Sequence, residues 1–157
     1  MTIHYLETTQ WVAWDKNKVW RFFSNPHNLS LLTPPSLRFK VVGSTPETIY
    51  PGLMIEYRVS PFRAFKMQWL TEITHVREGE YFVDEQRTGP YRLWHHEHFF
   101  RPVDKGIEIH ERVTYQLPFG ILGNFFHPFL VQPKLKEIFS YREKKLLHLR
   151  SDVKSLN

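Results

Sequence analysis

His96 and His98 stand two residues apart in the run Trp94-x-His96-x-His98-x-Phe100, which alternates as a strand does. Residues two apart on a strand share a face, so both imidazoles project to the same side. Phe82, Asp84 and Gln86 repeat that spacing upstream, and Glu111, Val113 and Tyr115 repeat it downstream. Brought together on one sheet face, they make a histidine–carboxylate cluster suited to three kinds of chemistry. It could orient the polar group of a bound small molecule. It could move protons, with His96 or His98 as general base and Asp84, Glu111 or Tyr115 as partner. It could also bind a metal through His96, His98 and Glu111, since a strand His-x-His offers two imidazoles to one tetrahedral ion. A paired core histidine is the commoner outcome of such a motif, so no metal is expected. No glycine-rich phosphate loop, nucleophile elbow or Cys–His pair occurs, and no cofactor is expected.

The cluster exists only if three strands present these residues to one side. Asp104-Lys105-Gly106 is a hairpin signal between Leu93–Val103 and Ile107–Leu117. With the tight turn at Asp104-Lys105, Glu97 pairs with Arg112 and His98 with Glu111. Glu97–Arg112 is a natural solvent-side ion pair, with Arg87 and His110 nearby. The other face then carries Trp94, His96, His98 and Phe100 opposite Ile109, Glu111, Val113 and Tyr115, and it is the inner one. A bulge at Gly106 would shift the register by one residue and exchange the two faces.

The remaining elements follow from periodicity. Thr2 to Trp14 is rich in β-formers and reads as a first strand. Asp15 is a good N-cap for a short helix, Lys16 to Phe23, that Pro26 ends. Asn25 and Pro26 can cap and open a second short helix carrying Leu29, Leu31 and Leu32, stopped by Pro34-Pro35. After Pro35 the period changes to two. Strands are expected at Leu37–Val41, at Leu53–Val59 with a break at Pro61, at Phe65–Ile73, and around Phe82–Gln86. Turn signals lie at 43–52, Glu78-Gly79 and Gly89-Pro90. Short turns between successive strands mean an antiparallel meander.

From Leu135 onward Ile138, Phe139, Arg142, Leu146 and Leu149 fall on one helical stripe. Such a helix is marginal alone and needs the sheet to cover it. Pro128 and Pro133 predict a short helical piece near Ile121–His127, a kink, and then the main helix to about Arg150. The segment Ile121, Leu122, Phe125, Phe126, Phe129 and Leu130 is apolar enough to cap a cavity mouth, or else is a packed connector.

With 157 residues the chain is one domain, 1–150, followed by a frayed tail, 151–157. The absence of cysteine excludes disulfides and thiolate chemistry and fits a reducing cytoplasm. No leader and no apolar run of membrane-spanning length is present, so a soluble protein with no integral membrane association is expected. The net charge is +5, and from Lys134 to Arg150 six Lys or Arg face two Glu. These charges read as a solvated helix face, rather than a footprint for anionic membrane or nucleic acid, because they alternate with Glu. No nucleic-acid partner is expected. The 13 Phe, 7 Tyr and 5 Trp exceed what a minimal core needs and suit a lined pocket.

One family matches the order and spacing of these pieces. Asn28-Leu29, Leu32-Thr33-Pro34-Pro35, Phe82-x-Asp84-x-Gln86, Gly89-Pro90-Tyr91, Trp94-x-His96-x-His98-x-Phe100, Val113-x-Tyr115, Pro118-x-Gly120 and Ile138-Phe139-x-Tyr141-Arg142 resemble the ligand-binding SRPBCC proteins. These are START-like and related to the polyketide cyclase/dehydrase group and the birch-pollen allergen fold. The resemblance spans nearly the whole chain. It implies an α+β helix-grip fold: a curved seven-stranded antiparallel sheet around a long C-terminal helix, with two short helices after the first strand. The chain departs from the pattern at Pro128 and Pro133, and Glu111 stands where an Asp is usual.

The expected function is binding of a hydrophobic or amphipathic small molecule, lipid-, polyketide- or aromatic-like, between sheet and helix. The candidate contacts are Tyr57, Trp69, Phe82, Asp84, Gln86, Trp94, His96, His98, Phe100, Glu111, Val113, Tyr115, Phe139 and Arg142. The alternative is a cyclase, dehydratase or hydrolase using His96, His98, Glu111 and Asp84 in the same cavity. Family kinship of this sort carries no chemistry with it.

Overall fold

The computed structural model describes residues 2–62 and 65–151. The strands are β1 (His4–Val12), β2 (Lys40–Val42), β3 (Met54–Phe62), β4 (Phe65–Arg77), β5 (Tyr81–Thr88), β6 (Leu93–Val103) and β7 (Gly106–Gln116). They form one seven-stranded antiparallel sheet in the order β1-β7-β6-β5-β4-β3-β2. The meander from β2 to β7 closes when β1 pairs with β7, from His4–Tyr115 to Val12–Ile107.

The β6–β7 hairpin has the register read from its turn: Trp94 faces Tyr115, Glu97 faces Arg112 and His98 faces Glu111. Lys105 takes the left-handed conformation at φ 61° that a tight hairpin turn requires. Gly106 pairs with Val103 without a bulge, so the faces are not exchanged. A Cβ there would clash with the Val12 carbonyl oxygen, which explains a glycine where β1 and β7 converge. On the outer face Arg112 donates to both Glu97 oxygens, at 2.5 and 2.7 Å.

Helix α1 (Lys16–Phe23) starts at Asp15, whose carboxylate accepts from the Lys18 amide at 2.9 Å. A 3-10 turn, Pro26–Ser30, follows with Asn25 as its cap. Together they brace one end of the sheet: Trp20 meets Phe82 and Phe100 edge-on, and Phe23 lies 5.2 Å from Phe100.

Three expectations on the strands need correction. The strand foreseen at Leu37–Val41 is shorter and later, Lys40–Val42. Pro34-Pro35 opens a 3-10 turn over Pro35–Leu37, and Arg38 ends it at φ 46° before extension resumes. Pro61 does not break β3. The strand runs through it, and the β3–β4 register shifts between Val59 and Phe62, the kind of irregularity that accommodates a proline in a sheet. Strand β4 runs on past Ile73 to Arg77.

The C-terminal segment is helical from Gly120. Helix α2 (Gly120–Phe126) passes into a π turn, His127–Val131, and then into α3 (Gln132–Ser151). Both prolines are absorbed. Pro128 sits in the wider π turn, and Pro133 follows it at the start of α3. Leu135, Phe139, Arg142 and Leu146 are buried, as the stripe requires, while Ile138 and Leu149 are half-buried. Leu146 joins a core with Val12, Ile55, Ile109 and Trp20, and Phe139 and Leu135 join a second with Trp94, Val113 and Tyr115. Residues 152–157, most of the expected tail, lie outside the described residues.

Candidate functional site

Sheet and α3 do not close on each other. Between them lies a cavity of about 480 Å³, walled by strands β3–β6, α3, the first 3-10 turn and the α2–π segment. Of the foreseen contacts, Tyr57, Trp69, Phe82, Asp84, Trp94, His96, His98, Phe139 and Arg142 line it. The rest of the wall is mostly apolar or aromatic, with Leu29, Ile55, Tyr91 and Leu117 among the contacts that strand alternation did not single out, and Asn25, Asn28, Thr33, Thr71 and Lys134 add further polar groups.

Five foreseen contacts do not line the cavity. Gln86 turns to the 89–91 loop instead: its amide donates to the Tyr91 carbonyl at 2.6 Å, and its oxygen accepts from the Tyr91 amide at 3.2 Å. It positions Tyr91, which does reach the cavity. Phe100 is packed under α1. Val113 is wholly buried in the core beneath α3. Glu111 lies behind the histidines, against Arg142. The Tyr115 hydroxyl shares a hydrogen bond with His127 Nε2 at 2.7 Å and does not line the cavity.

The polar wall is a charge network. His98 Nε2 lies 2.7 Å from Asp84 Oδ2, and its Nδ1 lies 3.2 Å from Glu111 Oε1 without the alignment of a hydrogen bond. His96 is 3.6 Å from Asp84 and 3.4 Å from Glu111. The two imidazoles stack with centroids 3.8 Å apart, and Phe82 stacks on the far side of His98 at 4.1 Å. Arg142 reaches in from α3, donates to Glu111 Oε1, and lies over the Phe139 ring.

Burial opposes charge on every member, and pairing decides which stay charged. Burial alone would raise both carboxyls. The pairing of Arg142 and the histidines with Glu111 nonetheless drives it well below the usual range, and the two histidines lower Asp84. The imidazoles diverge. Burial would lower His98, but its hydrogen bond to Asp84 and the close approach of the Glu111 carboxylate outweigh that and raise it. At His96 burial prevails, helped by the neighbouring His98 charge, and its pKa is lowered. The two stacked imidazoles are thus shifted in opposite directions, His98 toward the charged form and His96 toward the neutral one. Burial also raises the phenols of Tyr57 and Tyr91 and keeps them neutral.

Asp84, His96 and His98 bring ligating atoms within 4.8 Å of one another, a set that could hold a metal. It uses Asp84 rather than the foreseen Glu111, whose Oε1 accepts from Arg142. The same three side chains can equally hydrogen-bond a polar group entering from the cavity.

The mouth is bordered by Phe119, Leu122, Phe126 and Leu130, with Lys134 beside them. The four apolar residues are exposed, so the segment borders the opening and does not close it. A Cβ on Gly123 would strike the Pro118 carbonyl oxygen, so the close approach of α2 to the end of β7 requires glycine.

No family model and no curated protein matches the chain. Solved structures do. Ara h 8.0201 superposes with a TM-score of 0.64 at 16% identity, over 94% of this chain and 99% of that one. Protein TTHA0849 of Thermus thermophilus gives 0.63 at 18% identity, over 93% and 99%. Major latex-like protein 151 of Panax ginseng gives 0.67 at 10% identity, over 94% and 97%. This is the helix-grip fold of the SRPBCC, birch-pollen-allergen-like proteins. The cavity lies between the sheet and α3. No helix among the described residues is long and apolar enough to cross a membrane.

Proposed function

We propose that this protein binds an amphipathic small molecule in the cavity between the sheet and α3. One observation carries the reading: an aromatic-walled space of about 480 Å³ with a charge network on one wall. That volume lies in the range of small-molecule sites, and a few convergent polar groups in an apolar wall are how such sites orient a ligand. The apolar body lies against Tyr57, Trp69, Trp94 and Leu29. The polar end meets Asp84, His96, His98 and Arg142. An acceptor such as a carbonyl or carboxylate faces Arg142, and a hydroxyl also finds an acceptor in Asp84.

A second reading rests on the divergence of the histidines. Two titratable groups in contact with their pKa values pushed apart are a natural acid and base. His98 would be the acid, held by Asp84, and His96 the base, with a reaction of cyclase, dehydratase or hydrolase type.

Native mass spectrometry of the purified protein tests both. A retained molecule of fixed mass, lost on unfolding, supports binding. Added back, that molecule should be recovered unchanged from the binding module and transformed by the enzyme. A protein that carries nothing and takes up no apolar fluorescent probe would overturn both readings.

A further inference from the structure

The α2–π segment inverts the usual amphipathic pattern. Its polar side chains point inward. Asn124 accepts from His4 Nε2 at 3.1 Å and donates to Thr2 Oγ1 at 2.9 Å. His127 is buried, bonded to Tyr115, and stacked on His4 at 3.8 Å. With the polar residues holding the segment to β1 and β7, the apolar ones turn outward. Ile121, Phe125 and Phe129, at successive helical turns, are 90%, 65% and 70% exposed. Phe119, Leu122, Phe126 and Leu130 continue the apolar surface to the cavity mouth. Single exposed apolar residues are ordinary, but a contiguous patch of this composition marks an interaction surface.

We propose that this segment docks the protein on the surface of a lipid bilayer, with the ridge Ile121, Phe125 and Phe129 inserted among the acyl chains. Three observations choose the bilayer over a protein partner. The patch borders the cavity mouth on one side through Phe119, Leu122, Phe126 and Leu130, and a rigid protein or second copy seated on it would crowd that mouth. No carboxylate occurs between Glu111 and Glu137, so nothing in the segment repels anionic headgroups. Cations stand at its border: Arg92 is exposed beside Ile121, and Lys134, paired with Glu137, lies at the mouth. Aromatic and aliphatic side chains on a short helix flanked by cations are the pattern of a segment lying in the interface. The docking holds whatever the cavity contains.

Vesicle flotation tests it without any knowledge of the ligand. The protein should float with phosphatidylcholine–phosphatidylglycerol vesicles, and more weakly with phosphatidylcholine alone. Converting Ile121, Phe125 and Phe129 together to Glu should weaken binding by more than about tenfold, since it removes the inserting side chains and puts three carboxylates against anionic headgroups. Their exposure means the thermal midpoint should stay in place. Arg92→Gln should reduce only the preference for phosphatidylglycerol. A wild-type protein that stays out of the vesicle fraction overturns the proposal, as does a triple variant that floats equally well. A wild-type dimer that the triple variant converts to monomer overturns it too, because the patch would then belong to a second copy.

Discussion

His98 Nε2 lies 2.7 Å from Asp84 Oδ2, yet the two are not direct cross-strand neighbours. Phe82 faces His98, and Asp84 faces His96. The bond runs diagonally between β5 and β6, a reach that long side chains make readily. The direct neighbour on the other side, in β7, is Glu111. His98 therefore sits between two carboxylates, with Phe82 stacked over its ring. This position sets the polarity of the cavity wall and the first prediction.

The raised pKa of His98 ties stability to pH. Its pairing stabilises the fold fully below the unfolded histidine value, about 6.5, and this is lost as pH rises through the higher folded value. The lowered Asp84 and Glu111 act at the other end. Their stabilisation is present above the unfolded carboxyl values, about 4, and is lost as pH falls through the depressed folded ones. His96, lowered by burial, acts against His98, because its burial costs stability as pH falls below the unfolded histidine value, so the clear expectation for the network as a whole is a loss of stability below about pH 4, where the carboxylates take up protons. Asp84→Asn should lower the His98 pKa, read by NMR titration. Identical His98 curves in the wild type, Asp84→Asn and Glu111→Gln would mean that His98 is not paired.

Glu111 is 1% exposed and its charge is answered by Arg142 from α3. Removing one member of such a pair leaves the other buried and uncompensated, which costs on the order of 3–5 kcal/mol. Arg142→Met should destabilise by that amount in urea unfolding. Glu111→Gln combined with Arg142→Met should recover much of the loss. A single Arg142→Met variant as stable as the wild type would mean the pair stays solvated.

The inner face was legible because a two-residue turn at Asp104-Lys105 propagates a fixed register along β6 and β7. Local chemistry sufficed there, and it brought Trp94, His96 and His98 to the cavity. What local chemistry could not reach was the irregular or distant pairing. Register shifts lie between Leu70 and Thr71 and between Ile73 and His75, and Gln86 ends bonded to Tyr91 instead of joining Asp84. Glu111 falls under Arg142 only once α3 crosses the sheet, which no spacing encodes. The anchoring of the α2–π segment was also missed. Asn124 and His127 stand three apart, the spacing of one helix face, and that signal could have turned the segment's apolar side outward.

The stripe on α3 has two jobs, and substitution should separate them. Leu146 is 1% exposed in the core, so Leu146→Ala should cost about 2–5 kcal/mol and lower the thermal midpoint. Ile138, half-buried on the same stripe, lines the cavity. Space lies beside it, so Ile138→Trp can place its ring in the cavity with little strain on the packed core. Its midpoint should stay near wild type, while uptake of anilinonaphthalene sulfonate, read by fluorescence, should fall by an order of magnitude or more. Leu146→Ala should show the converse, a lower midpoint with nearly unchanged uptake well below it. Undiminished uptake in Ile138→Trp would place the probe, and with it the binding site, outside the space between sheet and helix.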